Sequence, residues 1–233
     1  MAKTISMAHC VIAIDPATEA SVKQRFPNIW ILRIPNGVDL RELPASESPS
    51  SSRTALFLGW VIPKKGVEEL VEAWANLKPK GWRCVIAGPG SDKYREELRQ
   101  RFHPDGLEFI PEQPHDNAMR LMAAADVFVL PSHTEGFPNV IIEAMAMGKP
   151  IIATQVGAIP EMLSDNCGVL IPPRDTDALQ TALHCVLADA QLRSELGACA
   201  NQKAKALYSM DTVFEQCVSI WRKAATSRTS HER

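Results

Sequence analysis

Apolar residues along this chain gather into short, nearly unbroken runs separated by longer amphipathic stretches. Ala55 to Leu58, Arg83 to Ala87, Leu107 to Ile110, Val127 to Leu130, Ile151 to Ala153 and Gly168 to Ile171 read as strands covered on both faces, as in a parallel sheet. Between them the spacing predicts helices over Gly66 to Asn76, Lys93 to Phe102, His115 to Ala124 and Val140 to Met147. This alternation predicts an α/β fold built on a Rossmann-like parallel sheet. Asp175 to Leu187, Ala190 to Leu207 and Met210 to Trp221 predict an all-helical end, and the polar stretch 224–233 a frayed tail. Ahead of the regular part, His9 to Asp15 is a strand candidate, followed by a modest helix from about Ala17 to Arg25 and a short apolar run from Trp30 to Ile34. Pro35-Asn36-Gly37-Val38-Asp39 then supports an Asn-Gly turn, and the Ser/Pro-rich segment 42–52 a mobile linker.

Composition narrows the function classes. With 233 residues, 45% hydrophobic and 22% charged, the chain has the make-up of a soluble globular protein with one full core. A formal net charge of −2 gives no electrostatic case for nucleic acid. No run approaches the roughly 18 apolar residues of a membrane span, and the first ten residues lack the features of a secretory signal. Six scattered cysteines show no metal spacing, so reduced, mostly buried thiols and a cytoplasmic location are expected, with any membrane association arising through a partner or an acceptor.

A parallel sheet of this kind presents ligands to the loops beyond the carboxyl ends of its strands. After the first strand comes Gly59-Trp60-Val61-Ile62-Pro63-Lys64-Lys65-Gly66, where glycines permit close backbone approach and a lysine can face a phosphate. After the second comes Gly88-Pro89-Gly90. The fourth opens the most informative stretch, Asp126 to Glu161. Its helix VIIEAMAM has Glu143 as its single polar side chain, and a carboxylate in such a place has either a specific ligand or a specific ion pair, Lys149 being the nearest cation in sequence. Pro138 suits a helix start and Gly148 the position just past a helix end, so free N–H groups would face the loop holding Glu135. Glu135 could equally be a helix cap, His133 a ligand contact or a surface histidine, and Glu161 a cap or a site residue. Two carboxylates also suggest a hydrolase pair, a reading disfavoured by the apolar helix around Glu143.

Glu135-Gly-Phe-Pro-Asn-Val-Ile-Ile-Glu143-Ala-Met-Ala-Met-Gly148-Lys-Pro150 resembles the nucleotide-sugar signature of the family 4 (group 1) retaining glycosyltransferases of GT-B architecture. The resemblance runs through about Val11 to Ala225 and implies the C-terminal, donor-binding half of such an enzyme plus the end of its N-terminal domain. It implies a nucleoside-diphosphate sugar as donor, transferred to an acceptor hydroxyl with retention, and neither a cofactor nor a metal. Glu135 and Lys65 are implied as the catalytic residues. Gly59, Lys65, Gly88, His133, Glu135, Gly136, Phe137, Pro138, Asn139, Val140 and Glu143 are implied as donor contacts, with Glu143 on the ribose and Lys65 on the diphosphate. Where the family commonly has arginine after the first glycine this chain has Trp60, and Ala158 stands where the family has glycine, which matters only if that position needs positive φ or close approach.

The same resemblance divides the chain into 1–41 (N-terminal remnant and crossing segment), 42–52 (linker), 53–209 (donor-binding domain), 210–223 (crossover helix) and 224–233 (tail). It implies a chain that lacks the acceptor domain, whether a fragment, one half of a split enzyme or a donor-binding module with another use. The opening strand would then lack a sheet, Phe214 and Trp221 would be exposed, and a complementary N-terminal-domain chain would be a partner. The acceptor could be a glycan, a lipid-linked glycan or a small molecule. The competing expectation is a nucleotide-binding or structural α/β protein without catalysis of its own.

Overall fold

The computed structural model describes residues 4, 5, 7–44 and 53–229. Six parallel strands form the main sheet: β3 (Arg53–Leu58), β4 (Trp82–Ala87), β5 (Leu107–Ile110), β6 (Val127–Leu130), β7 (Ile151–Thr154) and β8 (Val169–Ile171). Their order is β5-β4-β3-β6-β7-β8, so the direction of winding reverses between β3 and β6. At that reversal the loops after the two strands diverge and leave a crevice, the usual ligand position in an open α/β sheet. The segments predicted as strands are strands, and β6 and β7 are buried at every residue.

Helices α2 (Val67–Leu77), α3 (Asp92–Phe102), α4 (His115–Ala124), α5 (Asn139–Ala146), α6 (Ile159–Met162), α7 (Thr176–Ala188) and α8 (Ala190–Leu207) connect and cover the sheet. Trp74 on α2 is fully buried and donates its indole N–H to the Asp105 carbonyl at 3.0 Å, while Phe128 and Met145 are likewise buried core. Five residues of α5 (Ile141, Ile142, Ala144, Met145 and Ala146) are buried, because the helix lies between the sheet and α8. Burial of Ile141, Ile142 and Met145 is worth about 1.5–3 kcal/mol each. α8 can approach this closely because Gly197 lies against the Gly148 carbonyl, and Asn201 donates to the Ala146 carbonyl.

Ahead of the sheet, β1 (Val11–Ala13) and β2 (Ile31–Arg33) flank α1 (Pro16–Arg25). The opening strand, expected to lack a sheet, instead pairs in parallel with β2, Val11 opposite Ile31. It is also shorter than predicted, because Asp15 leaves the strand to cap α1, accepting from the Thr18 N–H at 2.8 Å and its hydroxyl at 2.6 Å. The last helix, α9 (Met210–Thr229), packs Val213 and Ile220 on Ile34 in a small second core. Phe214 and Trp221 on this helix are 61% and 63% exposed.

Two further expectations differ from the structure, and part of the predicted linker lies outside the described residues. α9 runs to Thr229 where a frayed tail was expected, because its last turns are polar but contain no glycine or proline to stop a helix. Cys167 and Cys199, expected as free thiols, are disulfide-bonded with Cα atoms 4.9 Å apart, joining the loop before β8 to α8. Of the four free cysteines, only Cys84 is buried. Positions 45–52 of the predicted linker and 230–233 of the predicted tail are outside the described residues. Among the described residues no helix is long and apolar enough to cross a membrane.

Candidate nucleotide site

The crevice between β3 and β6 is built from two loops locked to each other. After β3 the chain turns through a short 3-10 segment, Pro63–Lys65, and enters α2 at Gly66 with φ 67°. A Cβ at Gly66 would lie 1.9 Å from the Pro131 carbonyl oxygen, so only glycine lets the start of α2 pass this close to the loop after β6. Lys65 thereby reaches Glu135, with Nζ 2.6 Å from Oε1. Ser132, fully buried, donates to the same carboxylate oxygen at 2.7 Å, and its carbonyl accepts from the Thr154 hydroxyl at 2.5 Å. Glu135 is therefore engaged by side chains at the ends of two strands and is not a helix cap: α5 has Pro138 at its cap position and no side-chain cap bond.

Gly59 and Gly88 form the neighbouring wall. The Gly59 N–H donates to the Ala87 carbonyl at 3.0 Å, and Gly88 runs directly against the Gly59 carbonyl. Trp60 stands 60% exposed on this rim and Lys64 is exposed beside it.

Gly136, Phe137, Pro138, Asn139 and Val140 lead into α5, which starts at Asn139. Among the described residues the N–H groups of Phe137, Asn139 and Val140 have no acceptor, so the positive end of the helix dipole faces the crevice. Phe137 makes an edge contact with Tyr208, ring centroids 6.0 Å apart. Asn139 accepts from Asn36 at 2.8 Å, which ties the Pro35–Asp39 crossing segment to this helix start. Gly157, with φ 58°, holds the other side: a Cβ there would lie 2.3 Å from the Glu135 carbonyl oxygen. Ala158 has φ −85° and is buried, so its substitution for glycine costs the backbone nothing.

Glu143, one turn into α5, is half-buried with no side-chain partner among the described residues. The alternative ion pair does not form: the Lys149 ammonium is buried and donates to the carbonyls of Ala123 at 2.6 Å and Ala125 at 2.9 Å. Burial pushes the Glu143 carboxyl above its ordinary range, with a smaller opposing pull from His115. The carboxylate lines a cavity of about 660 Å³ with Asp39, His115, Asp116, Arg120 and Asn139. Asp39 is held by Arg41 at 2.8 Å, which lowers its carboxyl to about 2. Lys65 and Glu135 do not line this cavity; Asn139 and Glu143, at the start of α5, extend the site from the crevice into it.

His133 sits less free than its loop position implies. Its backbone N–H donates to the Lys64 carbonyl at 2.9 Å, its Nε2 is 2.6 Å from Glu69 Oε1, and its Nδ1 is 3.4 Å from Arg174 Nε. Glu161 is taken by Arg33, whose guanidinium spans both carboxylate oxygens at 2.8 and 2.7 Å and joins β2 to α6. Sequence reasoning missed Glu69, Ser132, His115, Asn36 and Gly157 as parts of this arrangement. For Gly157 a signal existed in the turn before α6; the others act through contacts that no local pattern carries.

The family model described as glycosyl transferases group 1 matches residues 40–203, and the chain belongs to that family. Alpha-D-kanosaminyltransferase of Streptomyces kanamyceticus is 31% identical over 181 residues, covering 72% of this chain and 45% of that protein. Sucrose-phosphate synthase from Thermosynechococcus elongatus superposes with a TM-score of 0.84 at 27% identity, over 97% of this chain and 61% of its own. HepE from Anabaena, solved in complex with UDP, superposes with a TM-score of 0.85 over 94% of this chain and 65% of its own; at 22% identity it attests the fold alone. The chain spans about half the length of the curated relatives it matches.

Proposed function

We propose that this chain is the donor-binding half of a retaining glycosyltransferase that takes a nucleoside-diphosphate sugar and passes its glycosyl group to an acceptor hydroxyl. The observation that carries the reading is Glu143: a half-buried carboxylate with no side-chain partner among the described residues, facing a cavity of nucleoside size. Such a group is costly to bury unless a ligand satisfies it, and a carboxylate can accept both hydroxyls of a ribose at once. The likeness to alpha-D-kanosaminyltransferase, 31% identical over 72% of this chain, supports the reaction class, and the titration below reads out the base.

In this reading the diphosphate lies between Lys65 and the free N–H groups at the start of α5, with Gly59 and Gly88 letting backbone approach it. Charge that develops on the departing nucleoside diphosphate is stabilised there by an ammonium and fixed amide dipoles. Glu135, released from Lys65 by the incoming phosphate, turns to the donor sugar together with Gly136 and Phe137. The division into an N-terminal remnant (1–41), linker (42–52), donor domain (53–209), crossover helix (210–223) and tail (224–233) belongs to the same proposal. So does an N-terminal domain that supplies the acceptor site, whether in the same polypeptide or as a complementary chain.

The test is calorimetric titration of the folded chain with UDP, GDP and ADP, repeated on Glu143→Ala. Saturable binding of one nucleotide that the substitution abolishes supports the proposal. Binding that survives the substitution, or none by the folded wild type, removes it and favours an α/β protein without donor chemistry.

A further inference from the structure

We infer that Glu69 and His133 are positioning residues: they brace the loop after β6 against the start of α2 and so hold Lys65 and Glu135 in register. The inference rests on the reading of Lys65 and Glu135 as donor contacts. Lys65 and Glu69 are four residues apart at the start of α2, and each meets the loop after β6 at 2.6 Å, Lys65 on Glu135 and Glu69 on His133. The His133 N–H bonded to the Lys64 carbonyl closes the arrangement from the backbone. The loop is thus tied at three points to one turn of chain.

The donors fix the tautomer of the ring. Arg174 Nε can only donate, so His133 Nδ1, 3.4 Å away, is the accepting nitrogen and the proton sits on Nε2, where it is given to Glu69. Arg174 is held at φ 60°, an uncommon conformation for a residue with a side chain. With both ring nitrogens engaged, His133 has no free donor for a sugar. The second Glu69 oxygen is buried without a partner, so His133 is the sole donor to this carboxylate among the described residues. Removing Glu69 therefore frees the ring and, with it, the loop carrying Glu135. Small misplacement of charged contacts is enough to cost a site about tenfold or more.

The test is a double-substitution cycle read by calorimetry with UDP, GDP and ADP, with urea unfolding to show that each variant is folded. Glu69→Leu is expected to weaken the bound nucleotide about tenfold. Glu69→Gln, whose side-chain oxygen still accepts from Nε2–H, should stay within about threefold of wild type. In a Lys65→Ala background Glu69→Leu should cost less than about twofold more, because the cation it positions is gone. Equal, additive losses in both backgrounds, or a Gln variant as weak as Leu, overturn the brace. Its second arm needs no ligand: ¹H–¹⁵N spectra of the His133 ring should show the Nε2–H tautomer in the wild type, with a downfield, exchange-protected Nε2–H proton, and in Glu69→Leu that proton should move upfield and exchange faster while Arg174 keeps Nδ1 the acceptor. An Nδ1–H ring in the wild type rejects the brace. A wild type that binds no nucleotide but shows the expected ring keeps the brace and removes the proposed donor role.

Discussion

Lys65 Nζ lies 2.6 Å from Glu135 Oε1, joining residues 70 positions apart across the point where the sheet reverses its winding. The side chains are only 24% and 10% exposed, so removing the ammonium leaves a shielded carboxylate with Ser132 as its remaining side-chain donor, at a cost of about 1–3 kcal/mol. Lys65→Ala should therefore lower the urea midpoint while the chain still folds. A charge-assisted contact to phosphate is worth roughly 1.5–3 kcal/mol, so nucleoside-diphosphate affinity should fall by about tenfold or more. Unchanged affinity in a folded variant contradicts the role given to Lys65.

Gly66 and Gly81 separate backbone strain from collision. Both have positive φ, 67° and 75°, but a Cβ at Gly66 meets the Pro131 carbonyl at 1.9 Å while one at Gly81 meets nothing within 4 Å. Gly81→Ala should cost about 1–2 kcal/mol from the left-handed conformation alone. Gly66→Ala should cost clearly more and lower the melting temperature by a further 2–4 °C or so per extra kcal/mol. Equal losses in thermal unfolding would show that the two loops do not need their close approach.

Arg33 and Glu161 give the β1–β2 unit its polar tie to the sheet. Removing either should loosen that unit without unfolding the rest, and the cycle of Arg33→Ala and Glu161→Ala should show a coupling of about 0.5–1 kcal/mol. Amide exchange is the discriminating measurement. Faster exchange at β1 and β2 with β3 to β8 unchanged is the expected pattern, and uniform change across both contradicts it.

Glu143 makes stability depend on pH in a definite direction. Its carboxyl holds a proton more tightly folded than unfolded, because burial raises its pKa. Its contribution is thus most favourable below the ordinary carboxylate range and is lost as pH rises through the raised value. Glu143→Gln removes this slope, so the variant should match or exceed wild type in melting temperature at pH 7 while losing nucleotide affinity. A variant less stable than wild type at pH 7 would point to an ion pair on Glu143.

The sheet strands and the helices through α8 were legible because apolar runs and helical spacing record burial directly, as at Phe128, Ile152 and Trp74. The signature from Glu135 to Glu143 was legible because many residue types agree at once. What stayed hidden depends on distant partners. Glu69 meets His133, and Arg33 meets Glu161, over separations of 64 and 128 residues, and neither side of these pairs carries a local mark. Cys167 and Cys199 belong to the same class, their approach set by α8 packing on α5. The end of α9 is hidden for a different reason: its polar residues suggest fraying, yet the absence of helix breakers lets the turns continue to Thr229.

The most direct measurement pairs the Glu143 carboxylate with the hydroxyls it is proposed to hold. The nucleoside diphosphate that binds in calorimetry is compared with its 2′-deoxy form, on wild type and on Glu143→Ala. Removal of the hydroxyl should weaken binding to the wild type about tenfold and have almost no effect on the variant, because the partner is already gone. A deoxy penalty of the same size on both proteins would contradict the assignment of Glu143 to the ribose, and with it the central claim.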